Sequence, residues 1–279
     1  SVASLYVDNN NFSLPKFIDY EHSKSNQTKP IINIEEFSNL MIEDSVKNNI
    51  KLGGYNENKK NNDNNDNKID NPNNIIITGP NASGKSTFLK GLTECLILAQ
   101  TICIVPASKL EFTPFKYINT YLNIPDCQGK ESLFQAEMYR CYKQINLFEK
   151  LKKDEFVFTI MDEIFVSTNY YEGVSGAYAI SEKMARFDNS ICIISTHFPT
   201  LSEFCDKNKC YKNYHFSIDR EAETNKILKN YKIKLGKSKQ HIALEMLENH
   251  GFSPDIIKDA KFMYNYLINK ETKLNIEKK

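Results

Sequence analysis

The chain has 279 residues, and 41% of them are hydrophobic, so it can form one large domain with a substantial core. Its 36 Lys and Arg residues balance 35 Asp and Glu residues, which leaves a net charge of +1. A free-standing nucleic-acid-binding protein usually carries a basic excess, so this balance argues against broad DNA contact spread over the chain. The sequence also contains no apolar run of the roughly 18–20 residues that would span a bilayer.

The seven cysteines are scattered along the chain and form no Cys-x-x-Cys pair. An odd and unpatterned set of thiols in a chain of this length is typical of a reducing compartment. The first residues do not have the form of a signal peptide. We therefore expect a soluble, intracellular protein that does not contact a membrane.

The first quarter of the chain is polar and weakly patterned. Residues 1–30 are irregular, and we interpret them as a linker or the end of an upstream domain. Residues 31–54 contain two short strand candidates, IINI and NIKL, ahead of a Gly-Gly pair. Residues 55–74 are Asn-rich and of low complexity, and they are predicted to be a disordered insertion because they cannot bury apolar surface.

Short apolar strands alternate with helical patterns from residue 74 onward. This alternation predicts an α/β fold built on a mainly parallel sheet. The predicted strands are 74–78, 156–161 and 191–195, with extended structure over 111–122 and antiparallel strands within 211–234; the predicted helices are 86–104, 132–152, 172–187, 198–205, 239–249 and 253–270. The last residues, 271–279, are predicted to be a disordered tail.

A glycine-containing loop follows the first apolar strand and opens a helix. It fits the pattern Gly-x-x-x-x-Gly-Lys-Ser, in which the glycines let backbone amides turn toward phosphate oxygens and the helix N-terminus adds partial positive charge. Lys85 is predicted to contact the β- and γ-phosphates of a nucleoside triphosphate, and the Ser86 hydroxyl to bind Mg²⁺. The predicted ATP-binding residues are Gly79, Pro80, Asn81, Ala82, Ser83, Gly84, Lys85, Ser86 and Thr87.

Two acidic residues, Asp162 and Glu163, directly follow the apolar run 156–161. At the end of a buried strand the first carboxylate can lie near a metal ion, and the second can orient or deprotonate an attacking water. An acidic pair after an apolar run is common by itself, but it is informative about 75 residues beyond a sound phosphate loop. A base at Glu163 implies hydrolysis of the nucleotide rather than phosphoryl transfer to a second substrate.

A further apolar strand, 191–195, ends in Thr196 and His197. In a fold of this kind such a strand end adjoins the γ-phosphate, where His197 would sense that phosphate or position the water. A lone histidine after a strand is more often a surface or core residue. The two preceding motifs favour the catalytic interpretation.

Together these motifs resemble the ABC-type P-loop ATPases, and within that class the ATPase domain of the MutS mismatch-repair proteins. The phosphate loop, read from Thr78 to Thr87, is similar to that of the family. Further similar stretches are Ile104-Val-Pro-Ala107, Ser132-Leu-Phe-Gln-Ala-Glu-Met138, Ile194-Ser-Thr-His-Phe198, and the region from Leu235-Gly-Lys-Ser238 to Ile256-Ile. The resemblance covers residues 74–265.

The resemblance implies a three-layer sandwich for an ATPase domain over residues 31–235, followed by a C-terminal helix-turn-helix dimerisation region over 236–270. ATP and Mg²⁺ are the implied cofactors, with Ser86 and Asp162 binding the metal and Glu163 and His197 acting in catalysis. Ser132 would reach the γ-phosphate bound by the opposite subunit of a homodimer, or of a heterodimer with a MutS-like paralogue. Mismatched or branched DNA would be bound by regions outside this chain, in the nucleus or wherever that DNA is.

The chain departs from the family pattern in three respects. The Gly-rich run that usually lies between the acidic pair and a Thr is absent, because Phe165-Val-Ser precedes Thr168; Thr168 and Gly173 themselves fit the pattern. One extra residue precedes Ser132. The chain also contains no mismatch-reading, connector, lever or clamp region. A stand-alone nucleotide switch that acts through protein partners without mismatch recognition is therefore an alternative. A transporter or chromosome-structure ATPase is disfavoured. Such a protein would have a Leu-Ser-Gly-Gly-type signature ahead of the strand that ends in the acidic pair, and this chain has Ser132-Leu-Phe-Gln instead.

Overall fold

A computed structural model describes residues 12–18, 29–54, 72–122, 132–207, 211–220, 227–238, 244, 247–248 and 250–276. The chain divides into two compact units, Ser1–Ser238 and Lys239–Lys279. Within the described residues, the first unit contains both β-sheets and four helices, and the second contains the long C-terminal helix.

The elements follow one another as ten strands and five helices within the described residues. The strands are β1 (Lys16–Phe17), β2 (Ile31–Phe37), β3 (Asn48–Gly53), β4 (Asn74–Thr78), β5 (Lys109–Phe112), β6 (Tyr117–Tyr121), β7 (Val157–Asp162), β8 (Ser190–Ser195), β9 (Tyr211–Arg220) and β10 (Ile227–Leu235). The helices are α1 (Lys85–Thr101), α2 (Leu133–Glu149), α3 (Tyr170–Met184), α4 (Pro199–Lys207) and α5 (Pro254–Ile276).

The larger sheet has six strands in the order β10-β9-β4-β8-β7-β6. Four of its five pairings are parallel, and only the β9–β10 hairpin is antiparallel, so the prediction of a mainly parallel sheet is confirmed. Every residue of the central strands β4 and β8 is buried. Continuous apolar runs of this kind are expected where both faces of a parallel sheet are covered.

Two hydrophobic clusters cover the two faces of this sheet. On one face, Ile75 and Ile77 of β4 pack with α1 and with apolar residues of the smaller sheet. On the other face, Ile76 packs with residues of α2, α3 and α4. The alternation of Ile75, Ile76 and Ile77 between the clusters follows the two-residue period of a strand, and each fully buried isoleucine contributes about 1.5–3 kcal/mol.

The smaller sheet was not predicted from the sequence. It has four strands in the order β1-β5-β2-β3, and it shares one hydrophobic cluster with α1 and the larger sheet. The two strand candidates in 31–54 are confirmed as β2 and β3, but β5 and β1 join them from distant parts of the chain. Pairing between such distant segments leaves no local pattern in the sequence.

Several expectations fall on residues that the structure does not describe. Residues 55–71, which are most of the Asn-rich insertion, lie outside the described residues. So does most of the predicted helix 239–249, of which only 244, 247 and 248 are described. The helix-turn-helix therefore stays a prediction, while α5 continues to Ile276, into the segment assigned to the tail. None of the helices within the described ranges is long and apolar enough to cross a membrane.

Candidate active site

The predicted motifs emerge side by side at the carboxyl edge of the six-stranded sheet. Strands β4, β8 and β7 are parallel neighbours, with Ile77 opposite Ser195 and Ser195 opposite Asp162. The phosphate loop, the acidic pair and the Thr196-His197 pair therefore all begin at one edge. Ligands of open α/β sheets bind at this edge.

The phosphate loop connects β4 directly to α1. Gly84 caps the helix with a φ of 105°, a left-handed conformation that favours glycine, and a Cβ atom added there would lie 3.0 Å from Tyr231 Cδ1. Ala82 also has a positive φ, 57°. Asn81 and Ala82 are exposed, whereas Ser83 is buried. The first-turn amides of α1 have no carbonyl partner within the helix and are available to an anion.

Lys85 lies in the first turn of α1 and is only 4% exposed. Its Nζ donates hydrogen bonds to the carbonyl oxygens of Gly79, at 3.0 Å, and Pro80, at 3.1 Å. It also lies 3.7 Å from Glu163 Oε1. Burial lowers the pKa of Lys85, while the charges of Glu163 and Asp162 act in the opposite direction. The ammonium group is thus held inside the loop by carbonyl dipoles and neighbouring carboxylates.

Asp162 and Glu163 are held by Ser195 of the adjacent strand. The Ser195 hydroxyl donates a hydrogen bond to Asp162 Oδ1. The Glu163 amide donates to the Ser195 carbonyl oxygen at 3.1 Å and to its Oγ at 3.2 Å. Glu163 has a φ of 56°, a left-handed conformation that costs a non-glycine residue about 1–2 kcal/mol. The neighbouring contacts must offset that cost.

His197 and Glu163 form a close pair at the edge of the sheet. His197 Nε2 lies 2.6 Å from Glu163 Oε1. Because a carboxylate can only accept, Nε2 carries the hydrogen of this bond. The hydrogen bond from His197 is the largest influence on the pKa of Glu163, which is lowered despite partial burial, with Lys85 contributing in the same direction. Glu163 is therefore ionised at neutral pH and able to accept a proton.

The remaining predicted residues lie in two places. Ser86 and Thr87 are half-buried in the first turn of α1, where the Thr87 carbonyl oxygen accepts a hydrogen bond from Asn39 at 3.1 Å. Ser132 is exposed at the N-terminus of α2 and forms a capping box with Gln135. Within the described residues, none of the hydrogen bonds of Ser132 reaches the phosphate loop, so its predicted role in a second subunit stays a prediction.

A cavity of about 450 Å³ beside the phosphate loop was not identified from the sequence. It lies between the loop and Tyr231 of β10, and its lining comes from three separate segments of the chain. These lining residues are Phe37, Asn39, Ile42, Glu43, Asp44, Ser45, Val46, Asn48, Ala82, Gly84, Thr87, Phe88 and Tyr231. Because those segments are distant in the sequence, no local motif could have indicated the cavity.

The Asn48 side chain positions Tyr231 at this cavity. Its Nδ2 donates to the Tyr231 carbonyl oxygen at 3.0 Å, and its Oδ1 accepts from the Ile233 amide at 2.9 Å. The β9–β10 register shifts between Lys229 and Ile233, and Tyr231 has a φ of 51°. The nearly buried Asn48 thus replaces backbone pairing at a bulge, and such bulges re-aim side chains near functional sites.

The loop after Glu163 is bound closely to α2 and α3. The Ser167 hydroxyl donates to the buried Glu137 of α2 at 2.6 Å, and the rings of Phe134 and Phe165 meet edge to face at 5.6 Å. A side chain at Gly173 would collide with the Phe165 carbonyl oxygen at 2.5 Å. Glycine is required there by close approach. The helix that begins beside Ser132 is therefore joined to the loop that carries Glu163.

The oxygen donors at this edge fit a magnesium ion. The Asp162 carboxylate and the Ser86 hydroxyl are hard ligands of the kind that Mg²⁺ takes together with phosphate oxygens and water. Within the described residues, no group of three His, Cys, Asp or Glu side chains could hold a metal on its own. Nucleotide phosphates would complete such a site.

The chain matches one protein family, MutS domain V, over residues 75–268. It is 30% identical over 260 residues to the DNA mismatch repair protein MutS of Prochlorococcus marinus (strain MIT 9312), covering 92% of this chain and 26% of that protein. It is 30% identical over 187 residues to the DNA mismatch repair protein Msh2 of Dictyostelium discoideum, covering 67% and 19%. It is 33% identical over 198 residues to MutS protein homolog 4 of Homo sapiens, covering 68% and 20%. The chain thus spans about a quarter or less of the length of these relatives.

Proposed function

Because the chain belongs to the MutS family, we propose that it binds and hydrolyses Mg-ATP as the ATPase domain of a DNA mismatch repair or recombination protein. The observation that carries the proposal is the convergence of Lys85, Glu163 and His197 beside the phosphate loop at one edge of the sheet. Two of the relatives are named as DNA mismatch repair proteins, which supports the proposed role in DNA repair.

Phosphate binding begins with Lys85. Its ammonium group exchanges its bonds to the Gly79 and Pro80 carbonyl oxygens for bonds to the β- and γ-phosphates. Backbone amides of the loop and the first turn of α1 bind the remaining phosphate oxygens. Ser86 and Asp162 would hold Mg²⁺, which would supply positive charge to the phosphate oxygens.

Hydrolysis uses Glu163 as the base. Its carboxylate is deprotonated at neutral pH, so it can accept a proton from the attacking water as the water oxygen bonds to the γ-phosphorus. The bond from that phosphorus to the β–γ bridging oxygen breaks, and the electron pair leaves with ADP. His197 holds the Glu163 carboxylate through the hydrogen on its Nε2. The same Nε2 atom lies 3.4 Å from Lys85 Nζ, so the two side chains border the same space.

The nucleotide base occupies the cavity beside the loop. That cavity adjoins Gly84 and Thr87, so a base there is continuous with phosphates on the loop. Tyr231 supplies an aromatic face, and the cavity volume suits a small ligand group. Among the more polar lining residues, the Asn39 side-chain NH2 group can donate a hydrogen bond to the base edge, and the Glu43 carboxylate can accept one.

Two such chains pair so that each completes the site of the other, as a homodimer or with a MutS-like paralogue. Ser132 supports this arrangement, because it is exposed at the N-terminus of a 17-residue helix. Its hydroxyl accepts the capping bond from the Gln135 amide and still has its own hydrogen to donate to a phosphate. Closure of the pair on ATP and its reopening after hydrolysis would control a DNA clamp.

Replacing Glu163 with Gln tests the hydrolysis mechanism. The amide cannot accept a proton, so steady-state ATP hydrolysis should fall about 10²- to 10⁴-fold while nucleotide binding persists. Glu149→Gln is the matched control, because Glu149 is exposed on α2 and pairs only with Lys183 among the described ion pairs. Undiminished hydrolysis by Glu163→Gln would exclude Glu163 as the base.

The shared site is tested by mixing two inactive variants. Lys85→Ala cannot bind the phosphates, and Ser132→Ala cannot donate to a partner's nucleotide. If Ser132 acts across the dimer, the mixture should regain hydrolysis, because one of the two sites then contains both an intact loop and an intact Ser132. A mixture no more active than its components would indicate sites complete within one chain.

Binding of DNA separates the proposed role from a stand-alone switch. In the full-length protein, a mismatched duplex should bind more tightly than a matched one, and ATP should change that affinity. Equal affinity for both duplexes, together with ATP-dependent binding of a protein partner, would favour a nucleotide switch without mismatch recognition.

A further inference from the structure

Ser195 occupies a central position that none of the predicted catalytic or binding roles includes. It is the last residue of β8, it is fully buried, and its register partners are Asp162 on one side and Ile77 on the other. It therefore lies between the strand that leads into the phosphate loop and the strand that ends in the acidic pair.

Three hydrogen bonds join Ser195 to the acidic pair. Its hydroxyl donates to Asp162 Oδ1, and its Oγ and carbonyl oxygen both accept from the Glu163 amide, at 3.2 and 3.1 Å. The hydroxyl thus uses its hydrogen on one carboxylate and its lone pair on the neighbouring backbone. A residue with no side-chain hydroxyl would keep only the carbonyl contact.

We propose that Ser195 is a positioning residue that orients Asp162 toward the metal and Glu163 toward the attacking water. The inference rests on the proposed function. By engaging Oδ1, the hydroxyl sets the rotation of the carboxylate and leaves Oδ2 for a divalent cation. By accepting from the Glu163 amide, it helps to hold the left-handed backbone at a φ of 56°, from which the Glu163 side chain reaches His197.

The chemistry of the contact explains why a metal site would need it. A hydrogen bond to an ionised carboxylate is strong and directional, and groups that orient metal ligands in this way typically change metal affinity or activity about 10- to 100-fold when they are lost. The Ser195 side chain is fully buried, so water has little room to replace its hydroxyl. Serine is the smallest residue that supplies both the donor and the acceptor.

The experiment compares Ser195→Ala with Ser190→Ala in the full chain. Ser190 begins the same strand and is equally buried, but its hydroxyl donates to the Phe187 carbonyl oxygen at the opposite end of the sheet. A fluorescent ATP analogue is titrated in EDTA and then against increasing Mg²⁺, and bound Mn²⁺ is followed by EPR. Thermal unfolding of each variant is recorded in parallel.

Ser195→Ala should bind the analogue in EDTA as the wild-type chain does. The Mg²⁺ concentration that gives half of the metal-dependent tightening should rise about 10-fold, and the EPR spectrum of bound Mn²⁺ should change, while Ser190→Ala matches the wild type in both. If Ser195→Ala does not fold, Ser195→Cys fills the same space with a much weaker donor and should shift the Mg²⁺ dependence in the same direction.

Two results would overturn the inference. Equal Mg²⁺ dependence of Ser195→Ala and Ser190→Ala would reject the role of Ser195 and leave the proposed function standing. Loss of binding in EDTA that follows loss of thermal stability would assign Ser195 a purely structural role. A wild-type chain that binds no nucleotide under any condition would reject the proposed function itself, and the positioning role with it.

Discussion

Two clusters of lysine and glutamate in this molecule differ in what surrounds them. At the edge of the six-stranded sheet, Lys85 is buried, and burial lowers its pKa even though Glu163 is close. On the four-stranded sheet, Lys109 lies in solvent 3.0 Å from Glu111, and that hydrogen bond raises the pKa of Lys109. The pKa values of the two lysines are thus shifted in opposite directions, because burial dominates at Lys85 and the hydrogen bond to Glu111 dominates at Lys109.

The difference distinguishes a candidate ligand site from a cluster whose charged groups are already paired. The Glu111 carboxylate is satisfied by Lys109, Asn33 and Lys16, and its pKa is lowered to about 2. The buried ammonium of Lys85 is held by carbonyl oxygens and a carboxylate that an anionic ligand can replace. Only the second arrangement leaves a strong interaction for a phosphate to make.

Exchanging each lysine for methionine should give the largest contrast between the clusters. Lys85→Met should reduce ATP binding and hydrolysis by at least about 10²-fold, since it removes a preorganised charge from the phosphate site. Lys109→Met should leave both unchanged, because its cluster does not adjoin the loop. Fluorescent-nucleotide titration and phosphate release measure the two effects. If the Lys85→Met chain bound nucleotide with normal affinity, the Lys85 cluster would not be a phosphate site, and the two clusters would not differ in function.

Replacing His197 with Ala should give an intermediate effect. The hydrogen bond from His197 is the main reason that the pKa of Glu163 is lowered, so its loss raises that pKa. The rate should fall about 10- to 100-fold, and the acid limb of its pH profile should move to higher pH, because Glu163 must be deprotonated to act as a base. Hydrolysis rates measured across pH test this result. An acid limb that stays in place would mean that another group limits the rate at low pH.

Replacing Glu111 with Gln should have the smallest effect, and only on stability. The pKa of Glu111 in the folded chain, about 2, lies below its ordinary value of 4.5, so its stabilisation is present above pH 4.5 and is lost as the pH falls toward 2. Solvent screening limits the loss in free energy of unfolding at neutral pH to about 1 kcal/mol, which is less than the pKa shift of Glu111 alone would suggest. Urea unfolding at pH 7 and at pH 3 measures it. If Glu111→Gln lowered the free energy of unfolding more at pH 3 than at pH 7, the lowered pKa assigned to Glu111 would be contradicted.

The local elements of the larger sheet could be predicted because each depends on its own residues. The run Ile75-Ile76-Ile77 is apolar on both faces, and the glycines and Lys85 follow it at the spacing that a phosphate loop requires. The position of Asp162 after another such run predicted a second strand end near the same ligand. Parallel neighbours place their carboxyl ends together, so adjacency of the motifs followed from strand type.

The smaller sheet and the cavity could not be predicted in this way. Strand β5 pairs with β2 across a long stretch of chain, and the cavity joins the phosphate loop to Asn48 and Tyr231. The local sequence around an asparagine does not show whether its side chain binds the backbone of a distant bulge or lies in a turn. What distinguishes Asn48 is its burial against two backbone groups of β10, which depends on packing between distant segments.

The sequence by itself determined that a glycine-containing loop, an acidic pair and a histidine each follow a buried strand, because strand period and loop composition are local properties. Only the tertiary structure decided that Ser195 joins Asp162 to Glu163, that His197 lowers the pKa of Glu163, and that Tyr231 borders a cavity at Gly84. Those contacts depend on register and burial, which arise when separate segments pack together and exclude water.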